Sequence, residues 1–229
     1  MRADGLLFDK DGTLFDFAAT WNVWAANTIR SLADGDAKVE RRIAKALIFD
    51  LEAESFLPES FVIASTNRQV AEAVARVLVD LDVDEIEIKL TKSSAVAPMV
   101  PAVPLSPLLS TLETFGLKLG VMTNDSEFAA REQLKTACID GHFDFIAGFD
   151  SGFGAKPDPD PLLAFAQATG LLPKRIVMVG DSTHDLIAGR RAGMQTAAVL
   201  TGMAEAEDLA PYADVVLPNI GYLLDWLSD

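Results

Sequence analysis

"LLFDKDGTLFD", residues 6–16, runs from a short apolar segment directly into Asp9, Lys10 and Asp11 and then breaks at Gly12. The apolar part reads as a strand buried on both faces. A strand alone does not call for two carboxylates two positions apart at its end. Gly12 lets the chain turn at once, so that both carboxylates can face one place. The stretch therefore reads as a buried strand that stops in order to present polar groups at its carboxyl edge.

The chain on either side has two textures. From residue 17 to about 95, apolar positions recur at helical spacing, as in "WNVWAANTIRSL", "AKVERRIAKALIFDL" and "NRQVAEAVARVLVDL", which predicts an all-helical block. "APMVPAVPLSP" follows, with prolines at 98, 101, 104 and 107 that cannot continue a helix, and reads as a hinge or linker. Beyond it, the short apolar runs "LKLGVM", "FIAG", "RIVMVG", "TAAVL" and "DVVL" alternate with helical stretches such as "SEFAAREQLKTAC" and "PDPLLAFAQATG". That alternation predicts a doubly wound α/β core, a Rossmann-like parallel sheet covered by helices. Its first strand, "GLLF", is separated from the rest by the helical block. The expected organisation is a core of residues 1–16 and 96–229 with residues 17–95 inserted into it.

Composition narrows the function. Half of the 229 residues are hydrophobic, enough for a substantial core. Asp and Glu number 34 against 19 Lys and Arg, a formal charge of −15, so duplex nucleic acid and anionic membranes are repelled and a small-molecule partner is expected. No apolar run approaches the ~20 residues that span a bilayer, and the opening residues lack a basic segment leading into an apolar one, so the chain reads as soluble and cytoplasmic. A single cysteine, Cys138, excludes an internal disulfide and reads as a small buried hydrophobe in a helix. Nothing in the sequence bears on oligomeric state.

In open parallel sheets, functional groups gather at the carboxyl ends of strands. That rule selects Asp9 and Asp11 after "LLF", Thr123 and Asn124 after "GVM", and Asp181 after "IVMV", with Asp185 four residues on and Lys156 in the Gly- and Pro-rich "GAKPDPDP". Each has a plainer reading: an Asp after a strand often caps the next helix, and a lone Lys is usually solvated.

Taken in order, "DKDGT" (9–13), "VMTND" around Thr123, "AKPDP" around Lys156 and "GDSTHD" (180–185) resemble the motifs of the haloacid dehalogenase superfamily, specifically its magnesium-dependent phosphatases with an inserted helical cap. The resemblance implies that Asp9 is a nucleophile forming an aspartyl phosphate and that Asp11 is the general acid and base. It implies that Thr123, the Asn124 backbone N–H and Lys156 hold the phosphoryl group. It also implies Mg²⁺ on the Asp9 and Asp181 carboxylates and the Asp11 carbonyl, supported by Asp185; an all-oxygen ligand set suits magnesium. Two positions depart from the pattern. Lys10 stands where an apolar residue is common and reads as structural or solvent-facing, and Asp125 reads as the cap of the next helix.

The inserted block resembles the caps of phosphoglycolate phosphatases, with "FLPESFVIASTNRQV" dipping toward the site, and Arg68 or Asn67 reads either as a contact for a substrate carboxylate or as a surface residue at a helix start. Trp21 and Trp24 read as packing residues, and His142 and His184 as surface or loop residues. The expected activity is hydrolysis of a small phosphorylated metabolite, with 2-phosphoglycolate first among substrates. A phosphomutase like β-phosphoglucomutase is the alternative within the superfamily. A non-catalytic phosphoacceptor or binding protein is the alternative outside it.

Overall fold

A computed structural model describes residues 1–228. Strand β1 (Gly5–Phe8) leads into helices α1 (Phe17–Ala33) and α2 (Ala37–Leu47), a small hairpin β2 (Phe49–Asp50) and β3 (Ser55–Phe56), and helices α3 (Asn67–Ala75) and α4 (Val83–Ser94). The chain then alternates through α5 (Leu105–Thr114), β4 (Lys118–Met122), α6 (Glu127–Thr136), β5 (Phe145–Ala147), α7 (Asp160–Thr169), β6 (Ile176–Gly180), α8 (Thr183–Arg191), β7 (Gln195–Val199), α9 (Ala206–Leu209), β8 (Val215–Leu217) and α10 (Leu223–Ser228). The six core strands pair in parallel in the order β5-β4-β1-β6-β7-β8.

Both faces of this sheet are covered, as its unbroken apolar strands require. Leu6 and Phe8 pack on one side with Leu109 of α5, Leu134 of α6 and Leu227 of α10. Leu7 points the other way, onto Phe165 of α7 and Ala188 of α8. All three strand residues are fully buried. Truncating such a side chain to alanine costs about 2–5 kcal/mol, so β1 is fixed by packing before its end does any chemistry.

The insertion has its own core, built from residues such as Trp21, Ile29, Ile43, Val74, Ile86 and Leu90. Its helices start where side chains satisfy the first free N–H groups: Asp16 caps α1, Asp36 caps α2, Thr66 and Gln69 form a reciprocal capping box on α3, and Asp82 caps α4. The two chain crossings between insertion and core lie side by side, with Asp16 N–H donating to the Val100 carbonyl at 2.8 Å and Ala102 N–H to the Leu14 carbonyl at 3.0 Å. Pro107 falls in the first turn of α5, where its missing N–H is tolerated.

Two expectations need correction. The inserted block is not wholly helical: "AKVERRIAKALIFDL" stops being helix at Ile48, a left-handed residue, because Phe49 turns inward to pack edge-on against Phe56 at 5.1 Å. Cys138 is exposed and lies beyond α6 with a left-handed φ of 56°, where the helix has already unwound. No helix among the described residues is long and apolar enough to cross a membrane.

Candidate active site

Strand β1 is hydrogen-bonded to β4 on one side and β6 on the other, and the connections depart in opposite directions from that point: β4 and β5 to one side, β6, β7 and β8 to the other. A crevice opens at such a reversal. Asp9 continues the ladder by donating its N–H to the Val179 carbonyl at 2.8 Å. The chain then folds back, with Leu14 and Phe15 N–H groups donating to the Lys10 carbonyl. Gly12 has φ +82°, and a Cβ there would collide with the Asp181 carboxylate, so no other residue fits this turn.

Asp9, Asp11, Thr123, Asn124, Lys156, Asp181 and Asp185 all line one cleft. The Lys156 ammonium donates to Asp9 Oδ1 at 2.5 Å and to Asp185 Oδ1 at 2.6 Å. Its loop is tied to the strand-end loop of β4 by Asn124, whose Oδ1 accepts from Lys156 N–H at 2.9 Å and whose Nδ2 donates to the Lys156 carbonyl at 3.0 Å. Asn124 Nδ2 also reaches the Ala64 carbonyl of the insertion at 3.0 Å. Thr123 Oγ1 accepts from Asp125 N–H at 3.1 Å. Asp185 has a structural part as well, since it completes the capping box of α8 with Ser182.

Carboxylate oxygens of Asp9, Asp181 and Asp185 lie within 4.8 Å of one another, all buried. Burial pushes the Asp9 carboxyl up to about 7, with Lys156 opposing and Asp185 and Asp11 adding to the rise. Asp181 is raised well above the usual range, again by burial first and then by Asp9 and Asp185. Burial alone would lower the Lys156 ammonium, but the two carboxylates it touches carry it upward. Three carboxylates facing one ammonium leave a formal charge near −2 that the chain does not balance. Asp181 is the least satisfied of the three, with the Thr13 hydroxyl at 3.3 Å and its own backbone N–H. Hard oxygen donors with a deficit of two positive charges fit a divalent cation such as Mg²⁺. Asp9 and Asp181 could hold such an ion, with Asp185, already engaged by Lys156 and Ser182, beside them.

A second charged group lies directly behind. Lys10 is fully buried, which removes the solvent-facing alternative. Its ammonium pairs with Asp11 Oδ2 at 2.7 Å and Asp125 Oδ2 at 3.4 Å, donates to Gln133 Oε1 at 2.5 Å and stands 5.3 Å from the Trp21 ring centre. Gln133 passes the connection on, donating to the Ser94 carbonyl at the end of α4 at 2.7 Å. Burial depresses the Lys10 ammonium, but Asp11, Asp125 and Asp9 outweigh it and the net shift is upward. Asp11 Oδ1 accepts no hydrogen bond among the described residues, although it is buried. Asp125 is not a helix cap: Ser126 caps α6, and Asp125 instead accepts from Asn67 Nδ2 at 3.1 Å. Sequence reading missed this network because its members come from five separate segments.

The insertion supplies the facing wall. Trp21 and Trp24 pack edge-on at 5.1 Å and line the cleft beside Phe56, Val62, Ile63 and Val70, so the two tryptophans are part of the site as well as of the core. Asn67 also lines the cleft, but its amide is directed to Asp125. Arg68 does not reach the cleft: it is half-buried and paired with Glu72, Asp84 and Glu87, and hydrogen bonds to Asp84 and Glu87 raise its guanidinium above the usual range. His184, expected at the surface, is half-buried in the cleft wall, and burial lowers its imidazole. His142 pairs with Glu113 at 2.8 Å away from the site.

An acidic strand edge on a doubly wound sheet, facing a helical insertion, is the design that the opening motifs resemble. The chain belongs to the haloacid dehalogenase-like hydrolase family, whose pattern matches residues 6–199. Phosphoglycolate phosphatase of Aquifex aeolicus (strain VF5) is 29% identical over 209 residues, covering 90% of this chain and 89% of that protein. Pyrophosphatase PpaX of Bacillus cereus (strain AH820) is 36% identical over 121 residues, a match that spans only 52% of this chain and 55% of the relative. Among solved structures, CbbY from Rhodobacter sphaeroides in complex with phosphate superposes with a TM-score of 0.72 at 21% identity, covering 96% of both chains. A "predicted phosphoglycolate phosphatase" from Haemophilus somnus 129PT gives 0.74 at 19% identity over 99% of both. The protein is thus a hydrolase by family, with phosphatases among its relatives.

Proposed function

We propose that the protein is a magnesium-dependent phosphomonoester hydrolase of small phosphorylated metabolites, acting through an aspartyl phosphate. The observation that carries the reading is the pair Asp9 and Asp11 at the end of the central strand, one bound to Lys156 and the other to Lys10. Their different partners suit different tasks. Asp9 faces the cleft beside Lys156 and attacks phosphorus, so that a carboxylate O–P bond forms as the ester P–O bond breaks. Asp11, with Oδ2 fixed by Lys10 and Oδ1 without a partner, gives its proton to the departing alkoxide. It then takes one from the water that cleaves the acyl phosphate, restoring Asp9 and releasing inorganic phosphate. Thr123 and the neighbouring backbone N–H of Asn124 hold the phosphoryl oxygens, and Lys156 balances charge on the transferring group. Mg²⁺, when bound on Asp9 and Asp181, supplies the remaining positive charge.

Residues 17–95 act in this reading as a cap over the leaving-group side of the site, closing on the paired crossings at 14–16 and 100–102 and excluding water. 2-Phosphoglycolate is the first single substrate to assay, on the strength of the sequence reading and the Aquifex relative's name. A phosphomutase must hold a second phosphoryl group while the first is transferred, and no Lys or Arg of the insertion lines the cleft to hold it. Turnover of a panel of phosphate monoesters with Mg²⁺, and its loss in Asp9→Asn, is the test. Hydrolysis of no ester, or undiminished hydrolysis by Asp9→Asn, would reject the assignment.

A further inference from the structure

The two walls of the cleft differ in chemistry. The core wall carries every charged group, and Lys156, the one ammonium on it, is already shared by Asp9 and Asp185. The insertion wall is apolar and aromatic where it faces the site, through Trp21, Trp24, Phe56, Val62, Ile63 and Val70. The few polar side chains that the insertion brings to the cleft have other partners. Trp24 Nε1 donates to Ser93 Oγ at 3.0 Å, Ser65 Oγ donates to the Phe61 carbonyl at 2.8 Å, and Asn67 Nδ2 donates to Asp125. Arg68, the cation nearest in sequence, points away into three carboxylates.

A substrate seated with its phosphoryl group at Asp9 places the rest of its body against this wall. A second anionic group there would lose its hydration, meet no cation and lie near the buried Asp125 and half-buried Asp11 carboxylates, an arrangement that opposes binding. An uncharged apolar or aromatic body would instead displace water from the indole and aliphatic surfaces. Resting on the phosphatase reading above, we propose that this cleft selects phosphate monoesters of uncharged alcohols with an apolar or aromatic body. Esters bearing a second anion, such as 2-phosphoglycolate, and the doubly phosphorylated anhydride pyrophosphate are then disfavoured. The family and the relatives' names do not dictate this preference; it comes from the side chains of the wall itself.

The test compares kcat/KM for 2-phosphoglycolate with that for its uncharged isostere, 2-phosphoglycolamide, and with that for 2-phenylethyl phosphate, all with Mg²⁺. The amide is expected to exceed the acid by at least about tenfold, and the phenylethyl ester to exceed the amide by a similar factor, as for discrimination by a shaped apolar pocket. Ile63→Lys, which adds a cation to the wall, should move the acid-to-amide ratio at least about tenfold toward the acid. Trp24→Ala should bring the phenylethyl ester down toward the amide. A wild-type enzyme that prefers the acid, or whose preference Ile63→Lys does not move, overturns the selectivity while leaving the phosphatase assignment standing. An enzyme inert on all three esters and on p-nitrophenyl phosphate overturns both.

Discussion

Replacing Lys10 with methionine keeps the volume of the side chain and removes its charge. The change strands Asp11 and Asp125 without their shared cation and leaves Gln133 Oε1 without its donor. Breaking a buried ion pair from one side costs about 3–5 kcal/mol, because the remaining charge stays desolvated. For a domain of this size each kcal/mol lowers the melting temperature by roughly 2–4 °C, so Lys10→Met should melt at least about 6 °C below wild type. Part of the loss should depend on pH. Burial already raises the Asp125 carboxyl, and without Lys10 it rises further. A carboxyl whose folded pKa lies above its unfolded value holds more protons in the folded state, so the variant should lose stability as pH rises from about 4 through the folded pKa. Lys10→Met/Asp125→Asn should recover part of the loss, with a coupling of about 1–3 kcal/mol. Urea titrations at pH 5 and pH 8 measure these quantities. A loss below ~1 kcal/mol, independent of pH, would show that the Lys10 cluster does not hold these carboxylates.

The remaining predictions concern the same cleft. Asp11→Asn mixed with p-nitrophenyl phosphate should release a burst of nitrophenolate near one equivalent per site, then turn over about 10²–10⁴-fold more slowly than wild type as acyl phosphate accumulates on Asp9; absence of a trappable acyl phosphate refutes the division of roles. Mg²⁺ at about 100 times its dissociation constant should stabilise the protein by roughly 2.7 kcal/mol, seen as a raised melting temperature without any substrate. Asp181→Asn relieves the repulsion among buried carboxylates, so it should melt higher than metal-free wild type and lose the Mg²⁺ response; a variant that still responds fully excludes Asp181 as a ligand. Arg68→Ala should leave relative rates among esters unchanged, since its partners are surface carboxylates, and a selective loss on carboxylated esters would contradict that geometry.

The core strands were legible because they are short and mostly apolar, and the central β1 and β6 are buried along their whole length. The carboxylate-bearing edge was legible because strand ends deliver it in chain order. The Lys10 cluster was not, since a buried lysine is recognisable only from partners such as Asp125 and Gln133, which are remote in sequence and meet it only in the folded chain. Local signals also misled. Asp125 stands where a cap belongs, yet the adjacent Ser126 takes that place. The hairpin in the insertion has only two residues per strand, too few for any periodicity to register. Arg68 occupies the segment that approaches the cleft, but its helical phase turns it toward α4 and away from the site.

The place of β1 in the sheet has a consequence for how the chain matures. Gly5 to Phe8 form the central pairings, yet Leu6 is in register with Leu119 on one side and Val177 on the other. During synthesis this strand leaves the ribosome well before either neighbour exists, whereas the insertion that follows it consists mostly of near-neighbour helix contacts. Nascent chains should thus fold the insertion first and carry an unpaired hydrophobic strand until β4 emerges, with its other edge open until β6 follows. The surroundings of Asp9, the proposed nucleophile at its end, are complete only when that late strand arrives, and the interval is when the chain is most exposed to aggregation and to chaperones.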